Sequence, residues 1–269
     1  MPALRALRVS GGRLNAMDAL VPQDSPPPSV AAAAPTVQNR LLRALAPDDL
    51  DLLRPHLESV PLDAGAHIVA ANAPITQIYF LESGLASVSL TTAEGGRLEV
   101  AIVGRDGLVS PALILGVDRT PFDTEVRVPG HALRLGADTL RNAMVRSETL
   151  RAHLLRYVQA VTLWTSQTAL SNRRHKTEER LARWLLLVHD RLDGDELAIT
   201  HETLSTMLGV HRPGVTVAVH ELESGGMIAT KRGLITILDR DKLVNLAGTS
   251  YGFAESEYER LVGPLRDTR

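Results

Sequence analysis

Residues 199–216 read ITHETLSTMLGVHRPGVT, and this stretch decides the fold of the C-terminal part of the chain. Thr200 is a residue type that caps helix N-termini well, and Gly209 permits the chain to reverse at the end of a short helix. A second amphipathic segment then opens at Arg212 with polar and basic residues. The spacing therefore predicts two short helices joined by a tight glycine turn.

A β-hairpin is predicted directly behind the two helices. β-like residues at 228–230 and 234–238 flank the basic, glycine-containing tip Lys231-Arg232-Gly233. A helix–glycine–helix turn occurs in many domains, so it is weak support when it stands alone. A helix–glycine–helix turn that is followed within about 20 residues by a basic hairpin is typical of a winged helix-turn-helix. The second helix of that motif enters the major groove of DNA.

The middle of the chain, about residues 64–136, follows a different pattern. Short β-like segments, such as 78–80 and 98–102, recur at roughly ten-residue spacing and are separated by glycines. Many short strands at this spacing favour an all-β roll or sandwich, of the jelly-roll or double-stranded β-helix type, over a βαβ fold.

After Gly136 the apolar period becomes helical again. Leu155 and Val158 form one apolar edge of this helix, and a second set of residues steps by four and three, the a/d spacing of a coiled coil. We predict a parallel homodimer through that second set; the alternative is one long core helix of a monomer. The predicted dimer residues are Leu150, Leu154, Tyr157, Val161, Trp164 and Thr168.

These patterns predict an α+β protein with an N-terminal β-roll, a long dimerisation helix and a C-terminal winged helix-turn-helix domain. A proline-rich N-terminal extension is predicted to be disordered. The expected boundaries are 1–38 for this extension, 39–145 for the β-roll, 146–175 for the long helix and hinge, 176–247 for the winged domain and 248–269 for a C-terminal tail.

Composition excludes several classes of protein. The 269 residues contain no cysteine, which rules out disulfides, cysteine-ligated zinc and iron–sulfur clusters. The formal net charge is only −2, but residues 141–191 hold ten lysines and arginines against four acidic residues, a local charge of +6. There is no long apolar run and no signal-peptide pattern, so we expect a cytoplasmic protein without membrane contact. Paired carboxylates lack a matching histidine, metal cluster or phosphate loop, so we expect no enzyme.

From Leu41 to Leu238 the order of these segments resembles the Crp/Fnr family of bacterial transcriptional regulators. Residues 79–85 are similar to the family's β-turn signature, residues 178–186 to its post-hinge helix, and residues 199–223 to its helix-turn-helix. The resemblance implies a homodimer with a sensory β-roll of the cyclic-nucleotide-binding type. It also implies a palindromic promoter site on double-stranded DNA, and RNA polymerase as a partner.

The resemblance further implies which residues bind DNA. The family's recognition helix commonly opens with Ser-Arg-Glu-x-x-x-Arg; Arg212 keeps the first arginine, whereas Pro213 and Val217 replace the glutamate and the later arginine. Arg212 is suited to a bidentate guanine contact, and the two changes predict an operator that differs from the usual half-site. We expect the valine or threonine after Gly214 to meet a thymine methyl, and the histidines and the wing to contact phosphates. The expected DNA-binding residues are Thr200, His201, His211, Arg212, Gly214, Val215, Thr216, Lys231 and Arg232.

The effector site is less well matched. Members that bind cyclic AMP use a Gly-Glu pair for the ribose and an Arg-Ser or Arg-Thr pair for the phosphate, and here Val109-Ser110 stands in the Gly-Glu position. Without that carboxylate we expect a small-molecule effector other than cyclic AMP. The hydroxyls at 165 and 166, where the family contacts adenine, fit ordinary polar positions of an exposed helix face better. The candidate effector-binding residues are Ser110, Arg119, Thr120, Thr165 and Ser166.

A second function, of a different class, stays open at this point. The missing glutamate and arginine of the recognition helix fit an effector-binding or protein-interaction module whose winged domain docks a partner protein instead of DNA. A salt titration of duplex binding distinguishes the two functions, because counterion release makes DNA affinity fall steeply with salt.

Overall fold

The structure is a computed structural model that describes residues 37–91 and 94–266. The predicted disordered extension, residues 1–38, lies outside the described residues except for its last two positions.

Helices frame the chain at both ends and form most of its C-terminal half. Short 3-10 helices lie at Arg54–His56, Pro111–Leu115 and Gly248–Ser250. The α-helices are α1 (Arg40–Arg43), α2 (Pro47–Leu53), α3 (Ala137–Arg146), α4 (Glu148–Arg174), α5 (Thr177–His189), α6 (His201–Leu208), α7 (Arg212–Ser224), α8 (Arg240–Ala247) and α9 (Phe253–Leu261).

The strands fall into three antiparallel sheets, in the orders β1-β7-β3, β2-β6-β4-β5 and β8-β10-β9. They are β1 (Glu58–Leu62), β2 (His67–Val69), β3 (Gln77–Leu81), β4 (Leu85–Thr91), β5 (Arg97–Val103), β6 (Phe122–Val128), β7 (Gly130–Gly136), β8 (Glu196–Leu197), β9 (Ile228–Lys231) and β10 (Leu234–Ile237).

The first two sheets form the predicted β-roll, so the α+β assignment is confirmed. Alternation along β3 turns Ile78 and Phe80 inward, where both are fully buried, while Tyr79 between them is half-buried. Phe80 pairs directly with Leu133 on β7, which is also buried. The roll therefore has an aliphatic core, as the low aromatic content of 3% requires.

Helix α4 packs one face on its own chain, which corrects the predicted dimer residues. Leu150, Leu154, Tyr157 and Trp164 are at most 9% exposed and belong to the same core as the inner residues of the roll. They leave nothing for a second copy to contact, and only Val161 and Thr168 of the predicted set are half-buried. The apolar repeat is real, but it is satisfied within the chain.

The winged helix-turn-helix is confirmed as a folded unit of helices α5 to α8 and the third sheet, and we call residues 177–247 the winged module. Its core draws Leu185, Leu204, Val219 and Ile235 from four different elements. The hairpin β9–β10 gains a third, two-residue strand, β8, which the sequence does not indicate.

The last part of the chain is more than a tail. Residues 248–266, called here the C-terminal segment, form a 3-10 turn and helix α9, which packs against α4. Ala254, Tyr258, Val262 and Leu265 are buried in the core that also holds the inner face of α4. The segment therefore belongs structurally to the N-terminal half of the molecule, residues 37–174.

Among the described residues, no helix combines the length and apolar character needed to cross a lipid bilayer.

Candidate nucleic-acid interface

The turn between α6 and α7 has the predicted construction. The Thr200 side chain caps α6 by accepting a hydrogen bond from Thr203 N at 3.1 Å. Gly209 then takes a left-handed conformation with φ at +61°, which other residues rarely adopt. Leu208 before the glycine and Val215 after it are buried in the module core, so the two helices brace each other.

Helix α7 presents a polar and basic start to solvent. His211, Arg212, Gly214 and Thr216, all predicted to contact DNA, are exposed. Val215 is fully buried, so its assignment to a thymine methyl is wrong. The reason is helical geometry, because Val215 lies on the stripe of α7 that continues through Val219 into the core.

Two exposed side chains on the outer face of α7 were missed. Val217 is 59% exposed and His220 is exposed. Val217 lies four residues after Pro213 and His220 four residues after Thr216, spacings that place each pair on one side of the helix. The Thr216 hydroxyl donates to Arg212 O at 3.1 Å. The outer face of α7 is therefore defined as Arg212, Pro213, Thr216, Val217 and His220; the 3.6-residue period alone suffices to find it.

The wing is held against α7 by one carboxylate. Glu223 Oε1 accepts hydrogen bonds from Thr230 N at 3.0 Å and from Thr230 Oγ1 at 2.6 Å. Lys231 and Arg232 at the hairpin tip are exposed, and no ion pair ties them to the part of the chain that the structure describes. His201, by contrast, is half-buried at the start of α6. The wing thus offers two unpaired cations beside the outer face of α7.

The candidate effector residues of the β-roll differ in burial and in hydrogen bonding. Ser110 is buried at the start of a 3-10 helix with φ at +65°, and its hydroxyl has no hydrogen-bond partner among residues 37–91 and 94–266. Arg119 donates to Asn72 O at 2.8 Å on the surface, and Thr120 is buried. No hydrogen bond within the described ranges links these residues to one another.

Thr165 and Ser166 lie on the exposed face of α4, and their hydroxyls donate to Val161 O and Thr162 O at 3.0 and 2.8 Å. These are bonds within the helix itself, as expected of ordinary polar positions. Residues 109 and 110 are valine and serine, so they supply no carboxylate.

A polar contact joins the winged module to the β-roll. Trp184 Nε1 of α5 donates to Glu99 Oε1 of β5 at 3.1 Å, and Ser87 Oγ of β4 donates to Glu99 Oε2 at 2.5 Å. Burial raises the pKa of the Glu99 carboxyl to about 7, against the hydrogen bonds and two nearby arginines. No local sequence pattern marks this contact, because its members lie 85 residues apart.

A second link runs between the turn that follows α5 and the loop that follows β5. Arg191 and Asp106 form an ion pair at 2.8 Å, with both side chains only 2% exposed. Arg105 pairs with Asp193 through both guanidinium nitrogens. The winged module is therefore tied to the N-terminal half by its inward face, while its outer face stays open.

Family models match both halves of this architecture. A cyclic nucleotide-binding domain matches residues 59–147 and a Crp-like helix-turn-helix domain matches residues 179–246, together more than half of the chain. A comparison with curated proteins finds no match.

Solved structures share the fold at low sequence identity. FixK2 from Bradyrhizobium japonicum is 16% identical with a TM-score of 0.62, over 71% of this chain and 98% of that one. A putative transcriptional regulator of the Crp/Fnr family from Eubacterium rectale is 20% identical with a TM-score of 0.56, over 77% and 97%. The c-di-GMP-responsive regulator CLP of Xanthomonas campestris is 14% identical with a TM-score of 0.56, over 71% and 99%.

The cyclic nucleotide-binding domain and the Crp-like helix-turn-helix domain follow each other along the chain with helix α4 between them, and the winged module presents a basic face. The chain belongs to the Crp/Fnr family of DNA-binding transcriptional regulators.

Proposed function

We propose that this regulator acts as a homodimer on a palindromic promoter site, controlled by a small-molecule effector other than cyclic AMP. The observation that carries the proposal is the outer face of α7, where Arg212 and its neighbours are exposed beside the unpaired wing cations Lys231 and Arg232. We infer that Arg212 of this face contacts guanine and that the wing cations contact phosphates. It is a non-enzymatic role, and a cytoplasmic location is part of the same proposal because the target is chromosomal DNA.

The outward stripe of α4 is the proposed dimer surface. Leu155, Val158, Thr162, Thr165 and Ala169 follow one another at steps of three and four, and they are exposed or half-buried. The Thr162 and Thr165 hydroxyls donate to carbonyls one turn earlier, so they need no partner across an interface. This stripe starts at Leu155 and Val158. It is different from the edge between Leu150 and Thr168, which has the a/d spacing and is predicted from the sequence to form the dimer.

A parallel pairing of the two α4 helices relates the winged modules by a two-fold axis. Two-fold symmetry in the protein matches a palindrome whose half-sites lie about 34 Å apart, one helical turn of DNA. RNA polymerase is the proposed protein partner of the promoter-bound regulator.

The effector proposal rests on the chemistry at residues 109 and 110. A ligand that needs a ribose-binding carboxylate has none at these positions, while Ser110 offers a buried hydroxyl without a partner among the described residues. A thermal-shift series with cyclic nucleotides and other small anions tests this directly. A stabilising shift by micromolar cyclic AMP would overturn it.

The test of the DNA and dimer proposals begins with selection of binding sites from random duplexes. We expect a palindromic consensus bound by two protomers, seen by analytical ultracentrifugation of the complex. Leu155→Glu should give monomers and lose tight binding to the full palindrome, while Val145→Glu, at an 83% exposed position on α3, should leave both unchanged. A Leu155→Glu protein that remains dimeric would rule out the outward stripe of α4.

A further inference from the structure

The C-terminal segment, residues 248–266, lies beyond the residues that the helix-turn-helix family model matches, which end at 246. Its burial is nevertheless extensive. Tyr258 is fully buried and stacks on Trp164 of α4, with ring centroids 5.0 Å apart. Val262 and Leu265 continue the same contact toward the start of the described chain, where Gly263 approaches Ala44.

Hydrogen bonds fix the segment to the N-terminal half. Trp164 Nε1 donates to Glu255 Oε1 at 3.0 Å, and Tyr258 Oη donates to Asp106 O at 2.6 Å. Arg156 Nε of α4 donates to Leu261 O at 2.9 Å. Each of these bonds is specific to one orientation of α9, so the helix has one defined seat on α4.

The same segment also holds the winged module. The buried Arg183 of α5 donates to Ser250 O at 2.8 Å. Tyr251 Oη donates to Asp190 Oδ2 at 2.8 Å, and Arg240 of α8 donates to Tyr251 Oη at 2.6 Å. Asp190 also receives Arg240 directly at 2.6 Å and lies 3.4 Å from Arg266. The C-terminal segment is therefore connected to the winged module by side-chain contacts as well as by the backbone at residues 247–248.

The covalent geometry has a consequence for motion. A domain joined by one connection, here residues 174–176, is free to swing about that point, and relative motion is the usual expectation for such domains. The winged module has a second connection at Gly248, and the chain beyond it is seated in the core of the N-terminal half. With both of its backbone connections held, at residues 174–176 and at Gly248, the winged module can rotate only about the line that joins these two points.

We propose that the C-terminal segment acts as a strap that holds the winged module in one orientation on the N-terminal half. The strap adds to the inward-face contacts of Trp184 and Arg191 and opposes a swing about the hinge. Reorientation of the module therefore requires release of Arg183 and Asp190 from the segment as well as release of those contacts. The inference stands apart from the DNA proposal, since it concerns the isolated protein.

Distance measurement between spin labels tests the strap. The chain has no native cysteine, so Val145→Cys on α3 and Val217→Cys on α7, 83% and 59% exposed, label the two halves uniquely. Labelled protein is diluted with unlabelled protein to isolate distances within one protomer. The intact chain should give a narrow distance distribution, comparable to that of the pair Val217→Cys and Leu238→Cys within the winged module.

The strap is then cut without removing α9. A flexible Gly/Ser linker of about twelve residues is inserted between Ala247 and Gly248, where an added atom meets open space, together with Arg183→Met and Tyr251→Phe. The distribution between the two halves should become broader than in the intact chain, by an extent that the remaining inward-face contacts of Trp184 and Arg191 limit but do not abolish. The same linker inserted at Gly116, another open position in the N-terminal half, should leave it narrow.

Two results would overturn the proposal. One is a broad distribution in the intact chain, which requires no variant to fold; the other is a narrow distribution after the strap is cut. Loss of the near-ultraviolet circular dichroism signal identifies a variant that has unfolded, and the protein with the linker inserted alone is measured beside it. If the protein bound no DNA duplex, the DNA-binding proposal would be wrong, but the spin-label distances would still test the strap.

Discussion

The two faces of the winged module both carry arginine, under opposite physical conditions. On the inward face, Arg191 is 2% exposed, pairs with Asp106, and lies 4.7 Å over the Trp164 ring. On the outward face, Arg212 is exposed and has no ion pair within residues 37–91 and 94–266. A buried cation that is paired holds the fold together, whereas an exposed cation without a partner is available to an external anion. Arginine therefore stabilises the fold on the inward face of the winged module and is available for ligand recognition on its outward face.

Breaking the buried pair should give the largest effect. Asp106→Asn leaves the Arg191 guanidinium buried without its countercharge, and we expect a loss of about 3–5 kcal/mol in the free energy of unfolding, measured by urea denaturation. Glu58→Gln, which removes an exposed partner of Arg134, is the matched control and should cost about 1 kcal/mol or less. Equal losses in the two variants would contradict the contrast between the faces.

The inward face should also respond to pH through Glu99. Its pKa of about 7 in the folded protein lies above the ordinary value of 4.5, so protonation favours the folded state. The associated stabilisation is present below pH 4.5 and is lost as pH rises through 7, by an amount on the order of 3 kcal/mol. Unfolding free energies at pH 5 and pH 8 measure it.

Glu99→Gln provides the control for that measurement. The amide keeps an acceptor for Trp184 and cannot ionise, so its unfolding free energy should change less between pH 5 and pH 8 than that of the unaltered protein. Parallel pH profiles for the two proteins would show that Glu99 does not titrate in this range.

On the outward face, Arg212→Ala should change recognition and leave stability alone. Loss of a bidentate guanine contact removes about 1–3 kcal/mol of discrimination at one base position, so selected sites should become degenerate there. The urea midpoint should stay within error because the side chain has no partner in the described chain. An unchanged preferred half-site would show that Arg212 does not read a base.

The wing should give the smallest effect. Lys231→Ala should weaken binding to all duplexes about equally and reduce the slope of log affinity against log salt by about 1, because one phosphate contact is lost. Lys242→Ala is the control, since Lys242 lies on α8 and pairs with Asp239. A sequence-dependent loss with Lys231→Ala would place that residue at a base instead.

How far the sequence predicts this molecule depends on whether the deciding contacts are local. The cap at Thr200, the turn at Gly209 and the basic hairpin tip are set by neighbours in sequence, and the structure has all three. The error at Val215 was avoidable, because its spacing to Val219 already places it in the apolar stripe.

Helix α4 shows a feature that local sequence patterns do not predict, namely which of its faces packs on the rest of the chain. It carries two apolar edges, and periodicity reveals both, but which edge meets the chain's own core depends on residues as distant as Leu41 and Tyr258. The left-handed Ser110 and the pairing of Glu99 with Trp184 are likewise fixed by tertiary packing.

The seat of helix α9 also changes how the domains are counted. Because residues 248–266 complete the core of the N-terminal half, that core is built from two separate segments of the chain, and the winged module lies between them in sequence. Domain exchange with a relative must then follow this division. Residues 177–247 are the part that can be exchanged. A chimera that also replaces the C-terminal segment would lose side chains that belong to the core of its N-terminal half.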